Sequence, residues 1–150
     1  MRVWYDAFYD IYKILVHVKY NDPYKKISLD YVNQFEELDK MLSLSDVISV
    51  CVHLNDETKG MINNKLFSKM KNGVYFINTS RGDIVNESDL INNLNNGKIY
   101  AAGLDVISNE FLGNMKEHPL IKYAKENENL IITPHIAGLT YESERKAQIA

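Results

Sequence analysis

The sequence predicts an α/β fold, a parallel sheet with flanking helices. Three observations carry that prediction. Short β-branched apolar runs recur along the chain, and amphipathic stretches with helical spacing separate most of them. The apolar runs are also near-continuous, as strands buried on both faces should be.

Taken in order, the first dozen residues are the least regular. Trp4, Tyr5, Phe8, Tyr9, Ile11 and Tyr12 are too aromatic for a solvated tail and fit the last turns of a helix entering the next element. Residues 1–13 are otherwise left unassigned. Ile14–Tyr20 then reads as a strand. Asn33–Leu44 sets Phe35, Leu38, Met41 and Leu42 at helical spacing. Val47–Leu54 is the next apolar strand, and Asn63–Met70 repeats the helical pattern more briefly through Leu66, Phe67 and Met70.

Val74–Asn78 is a strand, followed by the best-marked helix. Asn86 can cap it, Asp89 stands at the third position, Leu90, Ile91 and Leu94 form its apolar face, and Gly97 suits its end. Ala101–Val106 and Leu130–Thr133 are the last two strands. Between them Leu120–Glu126, preceded by Pro119, reads as a helix. A final helix is expected from Thr140, with Glu142 and Glu144 in its first turn. In such a sheet, ligands bind beyond the carboxyl ends of the strands.

Composition narrows the classes of function. A chain of 150 residues fits one domain, 1–150, with a core large enough to fold without staples. Its 45% hydrophobic and 25% charged residues are those of an average globular protein. A formal net charge of −3 gives no electrostatic case for nucleic acid or an anionic membrane as partner. The 1 cysteine, Cys51, cannot form an internal disulfide and reads as a small buried hydrophobe, which suits a reducing cytoplasm. No apolar stretch is long enough to cross a bilayer, and Met1–Asp6 lacks the order of a signal peptide. A cytoplasmic protein without a metal site is expected.

Four local signals sit just after strand ends. Asp22, at the end of what would be the second strand of a Rossmann-like dinucleotide fold, is placed to accept hydrogen bonds from an adenosine ribose and to repel a 2′-phosphate, favouring NAD over NADP. Asp22-Pro23 is also an ordinary turn opening. Asn78-Thr79-Ser80-Arg81-Gly82-Asp83 offers small polar residues and a guanidinium fork suited to a carboxylate, though Arg81 could equally pair with Asp83 at the surface. In Gly103–Glu110, Asp105 lies near the end of an apolar strand, where a carboxylate must find a partner. Thr133-Pro134-His135-Ile136-Ala137-Gly138 puts a histidine past a short strand, between a proline and a small-residue turn. His17, His53 and His118 are read as structural.

Together these residues compose one reaction. An arginine orients a carboxylate and polarises the neighbouring ketone, and a histidine gives the ketone oxygen a proton as hydride arrives from a nicotinamide. A glutamate on the other imidazole nitrogen fixes the tautomer. The chemistry is reversible reduction of a 2-oxo acid to a 2-hydroxy acid.

Asn78–Gly82, Leu104-Asp105-Val106 with Glu110, and Thr133–Gly138 resemble the signatures of the D-isomer-specific 2-hydroxyacid dehydrogenases. Asp46–Leu54 with Thr58–Asn63 is similar to that family's strand and loop beneath the adenosine, although the family usually has proline where this chain has Asn55. The resemblance runs from about Ile14 to the end. It implies that Arg81 binds the substrate's carboxylate and carbonyl, that His135 is the acid/base, and that Glu110 is its partner. It further implies that Asp105 contacts the nicotinamide carboxamide, that Asp22 holds the ribose, and that Thr58, Thr79 and Gly138 line the cofactor groove. The cofactor would be NAD, the substrate a small 2-oxo or 2-hydroxy acid, and the parent protein a homodimer.

The family's Gly-x-Gly-x-x-Gly loop does not occur in this sequence. The expectation is therefore a partial NAD-binding domain, an incomplete Rossmann-like sheet without its first strand, phosphate loop or substrate domain. Such a chain would turn over poorly or not at all alone, and its uncovered sheet would favour self-association. A second reading stays open, a non-catalytic NAD-sensing or partner-binding module like the corepressor branch that resembles these enzymes. Formate dehydrogenase is disfavoured because it carries glutamine where this chain has Pro134. S-adenosylhomocysteine hydrolase shares the architecture but not the three motifs.

Overall fold

The computed structural model describes residues 18–22, 32–111, 114–139, 141 and 145. By its contacts the chain divides into two compact units, Leu42–Ala137 and a second made of Met1–Met41 with Gly138–Ala150.

In the second unit, β1 (Val18–Tyr20) pairs in parallel with β2 (Val32–Gln34). This corrects the helix expected over Asn33–Leu44, which is confined to α1 (Leu38–Ser43). Pairing with β1 overrides the local helical spacing. The Phe35 N–H donates to Tyr20 O at 2.9 Å, and the Asn21 Nδ2 group donates to Phe35 O at 2.8 Å, so the extended backbone is satisfied there. The aromatic segment and most of the Ile14–Tyr20 strand lie outside the described residues. So does the helix expected from Thr140, apart from Tyr141 and Arg145, both helical.

The unit Leu42–Ala137 holds a four-stranded parallel sheet in the order β3 (Val47–Val50), β4 (Val74–Asn78), β5 (Ile99–Leu104), β6 (Leu130–Ile132). In register, Ile48, Phe76, Ala102 and Leu130 form one cross-strand row, and Val50, Asn78, Leu104 and Ile132 another. Between the strands run α2 (Asn64–Phe67), α3 (Glu87–Asn95) and α4 (Pro119–Glu126). Caps fix each start. Asn63 accepts from the Lys65 N–H, Asn86 from the Asp89 N–H, and His118 Nδ1 from the Leu120 N–H, with Pro119 in the first turn of α4. Asp89 Oδ2 in turn accepts from the Asn64 N–H at 2.9 Å, which ties α3 to the start of α2.

The core lies on one face of this sheet. Phe76, Val74, Ile99, Leu104 and Leu130 meet Phe67, Leu90, Leu94 and Leu120 from the helices, all buried. Phe67 and Phe76 stack edge to face with ring centroids 5.6 Å apart. Each such side chain contributes about 1.5–3 kcal/mol of transfer free energy.

The expectation of strands covered on both faces is not met. Val47, Tyr75, Ile77, Tyr100 and Ile131 are exposed on the other side. A register shift between Val74 and Tyr75 lets Tyr100 reach Tyr75, their rings 5.2 Å apart. The strand expected at Val47–Leu54 ends at Val50. Cys51, expected to be buried, therefore lies past the sheet edge and is exposed. No described helix is long and apolar enough to cross a membrane.

Candidate functional site

Three loops leave the carboxyl ends of β4, β5 and β6, neighbours in the sheet. They carry Arg81, Glu110 and His135 respectively.

The first loop is shaped by Asn78, whose side chain is buried at the strand end. Its Oδ1 accepts from the Ser80 N–H at 3.0 Å and its Nδ2 donates to Arg81 O at 3.0 Å. Ser80 Oγ donates to Val50 O at 3.0 Å, at the end of β3. Arg81 is extended and exposed, and its Nη1 donates to Ser80 O at 2.6 Å. It makes no ion pair with Asp83 among the described residues, so the surface-pair alternative is not realised. Beyond Arg81 the chain is held by the preceding segment, the Ile62 N–H donating to Ile84 O and the Asn86 N–H to Ile62 O.

The second and third loops are stitched together by Asp105, 5% exposed. Its Oδ1 accepts from the Thr133 hydroxyl and from the Ile136 N–H at 2.9 Å, and its Oδ2 from the Ala137 N–H at 2.9 Å. Burial raises its carboxyl, but the Thr133 hydroxyl, the Ala137 and Ile136 amides and the charge of His135 outweigh it and hold the group below the ordinary value of 3.8. Asp105 thus folds the Thr133–Ala137 turn around an anion.

His135 stands at the tip of that turn with φ 54, a left-handed conformation that non-glycine residues adopt only where the surroundings impose it. Its N–H donates to Thr133 O at 2.9 Å, closing a tight turn behind Pro134. Its Nδ1 lies 2.6 Å from Glu110 Oε1, with the imidazole 38% and the glutamate 18% exposed. Nδ1–H pointing at a carboxylate leaves Nε2 as the nitrogen available to a ligand. The Phe111 ring, 84% exposed, lies 6.1 Å from the imidazole.

The other expected site residues divide between the units. Thr58 is held in a turn, its Oγ1 donating to His53 O at 2.6 Å and accepting from the Asn55 N–H at 2.9 Å. The Oδ1 of Asn55 accepts from the N–H groups of Glu57 and Thr58, a capping task proline could not perform. Thr79 Oγ1 is buried without a partner, an orphan acceptor and donor at the end of β4. Asp22 and Gly138 belong to the other unit. There Asp22 is half-buried just beyond β1, and Gly138 is exposed, with no atom near the place a Cβ would take. Two features within the Leu42–Ala137 unit suit a dinucleotide. Thr79 has an unfilled hydrogen-bonding hydroxyl, and one lone pair of Asp105 Oδ2 is unused by the bonds described above.

Two residues that sequence reasoning set aside or passed over also touch this region. His118, expected to be structural, does cap α4, but its Nε2 also lies 3.1 Å from Ser108 O and 3.3 Å from Glu87 Oε2. Glu87 Oε1 accepts from the Ser108 N–H at 2.6 Å. A histidine directly before Pro119 at a helix start was the available signal. A polar cleft of about 650 Å³, lined by Asn64, Ser68, Asn72, Asn93 and Lys98, opens at the opposite ends of the strands. Its polar groups satisfy one another, Lys98 Nζ donating to Met70 O and Asn93 Nδ2 to Asn64 Oδ1.

A carboxylate-paired imidazole and an exposed guanidinium, carried on loops after adjacent parallel strands, mark the chain as a Rossmann-like domain. Residues 11–137 match the family described as D-isomer specific 2-hydroxyacid dehydrogenase, NAD binding domain, and the chain belongs to that family. It is 44% identical over 126 residues to a hydroxypyruvate reductase of Blautia hydrogenotrophica, covering 83% of this chain and 37% of the relative. To the human glyoxylate reductase/hydroxypyruvate reductase it is 39% identical over 121 residues, covering 81% of this chain and 35% of that protein.

Among solved structures, the NAD-complexed D-isomer specific 2-hydroxyacid dehydrogenase of Lactobacillus delbrueckii ssp. bulgaricus superposes with a TM-score of 0.81 at 29% identity, covering 93% of this chain and 45% of that one. The D-lactate dehydrogenase of Lactobacillus jensenii with NAD+ gives 0.80 at 31%, covering 90% and 43%. The chain spans less than half the length of each of these relatives.

Proposed function

We propose that this chain is the nucleotide-binding part of an NAD-dependent enzyme that reversibly reduces a small 2-oxo acid to a D-2-hydroxy acid. The observation that carries the reading is the His135–Glu110 pair at 2.6 Å, which joins the loop after β6 to the loop after β5, the latter pressing against Gly82 beside Arg81.

In reduction, the Arg81 fork binds the substrate carboxylate and draws charge from the adjacent carbonyl oxygen. His135 Nε2 delivers a proton to that oxygen while Glu110 stabilises the cationic ring through Nδ1. NADH, when bound, would supply the hydride to the carbonyl carbon and itself become NAD+. One hydride and one proton thus convert the ketone to an alcohol, and the reverse reaction returns the proton to His135. Asp22 would hold the adenosine ribose, Thr58, Thr79 and Gly138 would line the groove, and Asp105 would receive the carboxamide N–H on its remaining lone pair. That the relatives named above are reductases and dehydrogenases favours an enzyme over a partner-binding module. We assign the parent to the cytoplasm as a homodimer, with no nucleic acid or membrane partner. In this chain, one cysteine that cannot pair internally suits a reducing compartment, and a net charge of −3 gives no electrostatic case for nucleic acid.

The test is NADH oxidation with glyoxylate, hydroxypyruvate and pyruvate, by the chain alone and by the longer protein that carries it. Turnover by the longer protein, lost in Arg81→Ala, and little or none by the chain alone is the expected result. Full activity in Arg81→Ala would sink the assignment.

A further inference from the structure

We propose that Glu87 and His118 form a clamp on the backbone N–H and C=O of Ser108 that sets Glu110 against His135, so that both are positioning residues for proton transfer. The proposal rests on the reading of Glu110 and His135 given above.

The clamp grips both peptides that flank the Ser108 Cα, from the starts of two helices. Glu87, the first residue of α3, accepts from the Ser108 N–H through Oε1 at 2.6 Å. His118, the cap of α4, reaches Ser108 O with Nε2 at 3.1 Å and Glu87 Oε2 with the same nitrogen at 3.3 Å. Its Nδ1 is committed as acceptor to the Leu120 N–H, so the ring proton sits on Nε2 and must be donated toward Ser108 O and Glu87. Side-chain exposures of 10% for His118 and 15% for Glu87 leave little water to compete.

Close contact restrains the same stretch from another side. A Cβ on Gly82 would fall 2.0 Å from Ile107 C and 2.2 Å from Ser108 N, so the Arg81–Gly82 backbone rests directly on this peptide. Two residues beyond Ser108 stands Glu110. The intervening Asn109 is left-handed at φ 55, a conformation that asparagine tolerates better than most non-glycine residues. Where Ser108 goes, Glu110 follows. Buried Val106 and Ile107 anchor the start of the loop; beyond them the clamp references Ser108 to the starts of two helices, and misplacement of about 1 Å at a reacting pair can cost roughly 100-fold in rate.

Nuclear magnetic resonance on the isotope-labelled chain tests this without turnover. The His135 Nδ1 proton, bonded to a carboxylate, should give a resonance far downfield of the amides, abolished in Glu110→Gln. His118→Asn keeps an acceptor for the Leu120 N–H but is too short to reach Ser108, and it should lose or broaden that resonance. His118→Gln, whose amide can reach Ser108 O, should keep it, as should Glu117→Gln in the same turn. Glu87→Ala should lose the signal and Glu87→Gln retain it, a second arm if His118→Asn fails to fold. In the longer enzyme, His118→Asn should lower kcat at least tenfold with KM for NADH unchanged. A resonance that persists in Glu110→Gln refutes the pair itself. One that vanishes there but persists in folded His118→Asn or Glu87→Ala refutes the clamp alone.

Discussion

His135 and Glu110, 25 positions apart, meet with Nδ1 2.6 Å from Oε1. The contact joins the loops after β5 and β6, and it sorts the two residues by role. In the proposed reaction the imidazole keeps Nε2 for the substrate, while the glutamate bonds to Nδ1. Replacing His135 removes the proton donor, and His135→Gln should lower kcat in the longer enzyme by about 10²–10⁴-fold with little change in NADH affinity. Glu110→Gln leaves the donor in place and should cost less. Steady-state kinetics on the two variants and the double variant check this. A double variant whose loss equals the product of the single losses would show that the residues act separately.

Much of this site was legible in the sequence, for reasons tied to particular residues. Strand Val74–Asn78 and the Asn86-capped helix carry local signals strong enough to survive folding, an apolar run and a cap with its glycine stop. The order of Arg81, Glu110 and His135 after strand ends placed all three at one edge of the sheet. Strand β2 was not legible, because Val32-Asn33-Gln34 has no apolar pattern and is extended only through pairing with β1. A carboxylate at Asp105 needs partners, but those partners include amides 31 and 32 residues away, which no local pattern reports. Cys51 misled because an apolar run in sequence continues past the sheet that ends it.

Asp105 should make stability depend on acid pH. Its folded carboxyl titrates below the ordinary aspartate value, so the folded state favours the anion more than the unfolded chain does. The resulting stabilisation is complete above the unfolded value of about 4 and is lost as pH falls through the lowered folded value. Asp105→Asn should destabilise the chain by about 1–3 kcal/mol near neutrality, because a neutral amide replaces an acceptor of charge-assisted bonds. Thermal melts of the two proteins should converge as the solution is acidified below about pH 4. A gap in Tm that stays constant into strong acid would mean that Asp105 acts by shape and not by charge.

Gly82 is required by close approach. The Ile107–Ser108 peptide occupies the place of its Cβ, and the nearest obstacles are backbone atoms that no rotamer can move. Gly82→Ala should therefore displace the Ser108 loop or destabilise the chain by about 1–3 kcal/mol or more. Since that loop leads to Glu110, the downfield His135 proton should weaken in any folded fraction. Gly97→Ala, where the glycine's φ is 74 and nothing crowds a Cβ, should carry only the cost of backbone strain and leave that proton alone. Equal effects of the two variants on the His135 signal would overturn this account.

The uncovered sheet face predicts how the chain behaves by itself. Val47, Tyr75, Ile77, Tyr100 and Ile131 present apolar side chains to water on adjacent strands, and Ile131 alone is 66% exposed. Contiguous apolar surface of this kind drives association, so the isolated chain should elute from size exclusion with a concentration-dependent apparent mass. Ile131→Lys should shift elution toward the monomer, because a charged side chain on that face disfavours stacking against another apolar surface. It should leave Tm nearly unchanged, since the Ile131 side chain points away from the core that Leu130 enters. A concentration-independent monomer for the unmodified chain would show that this face does not drive association.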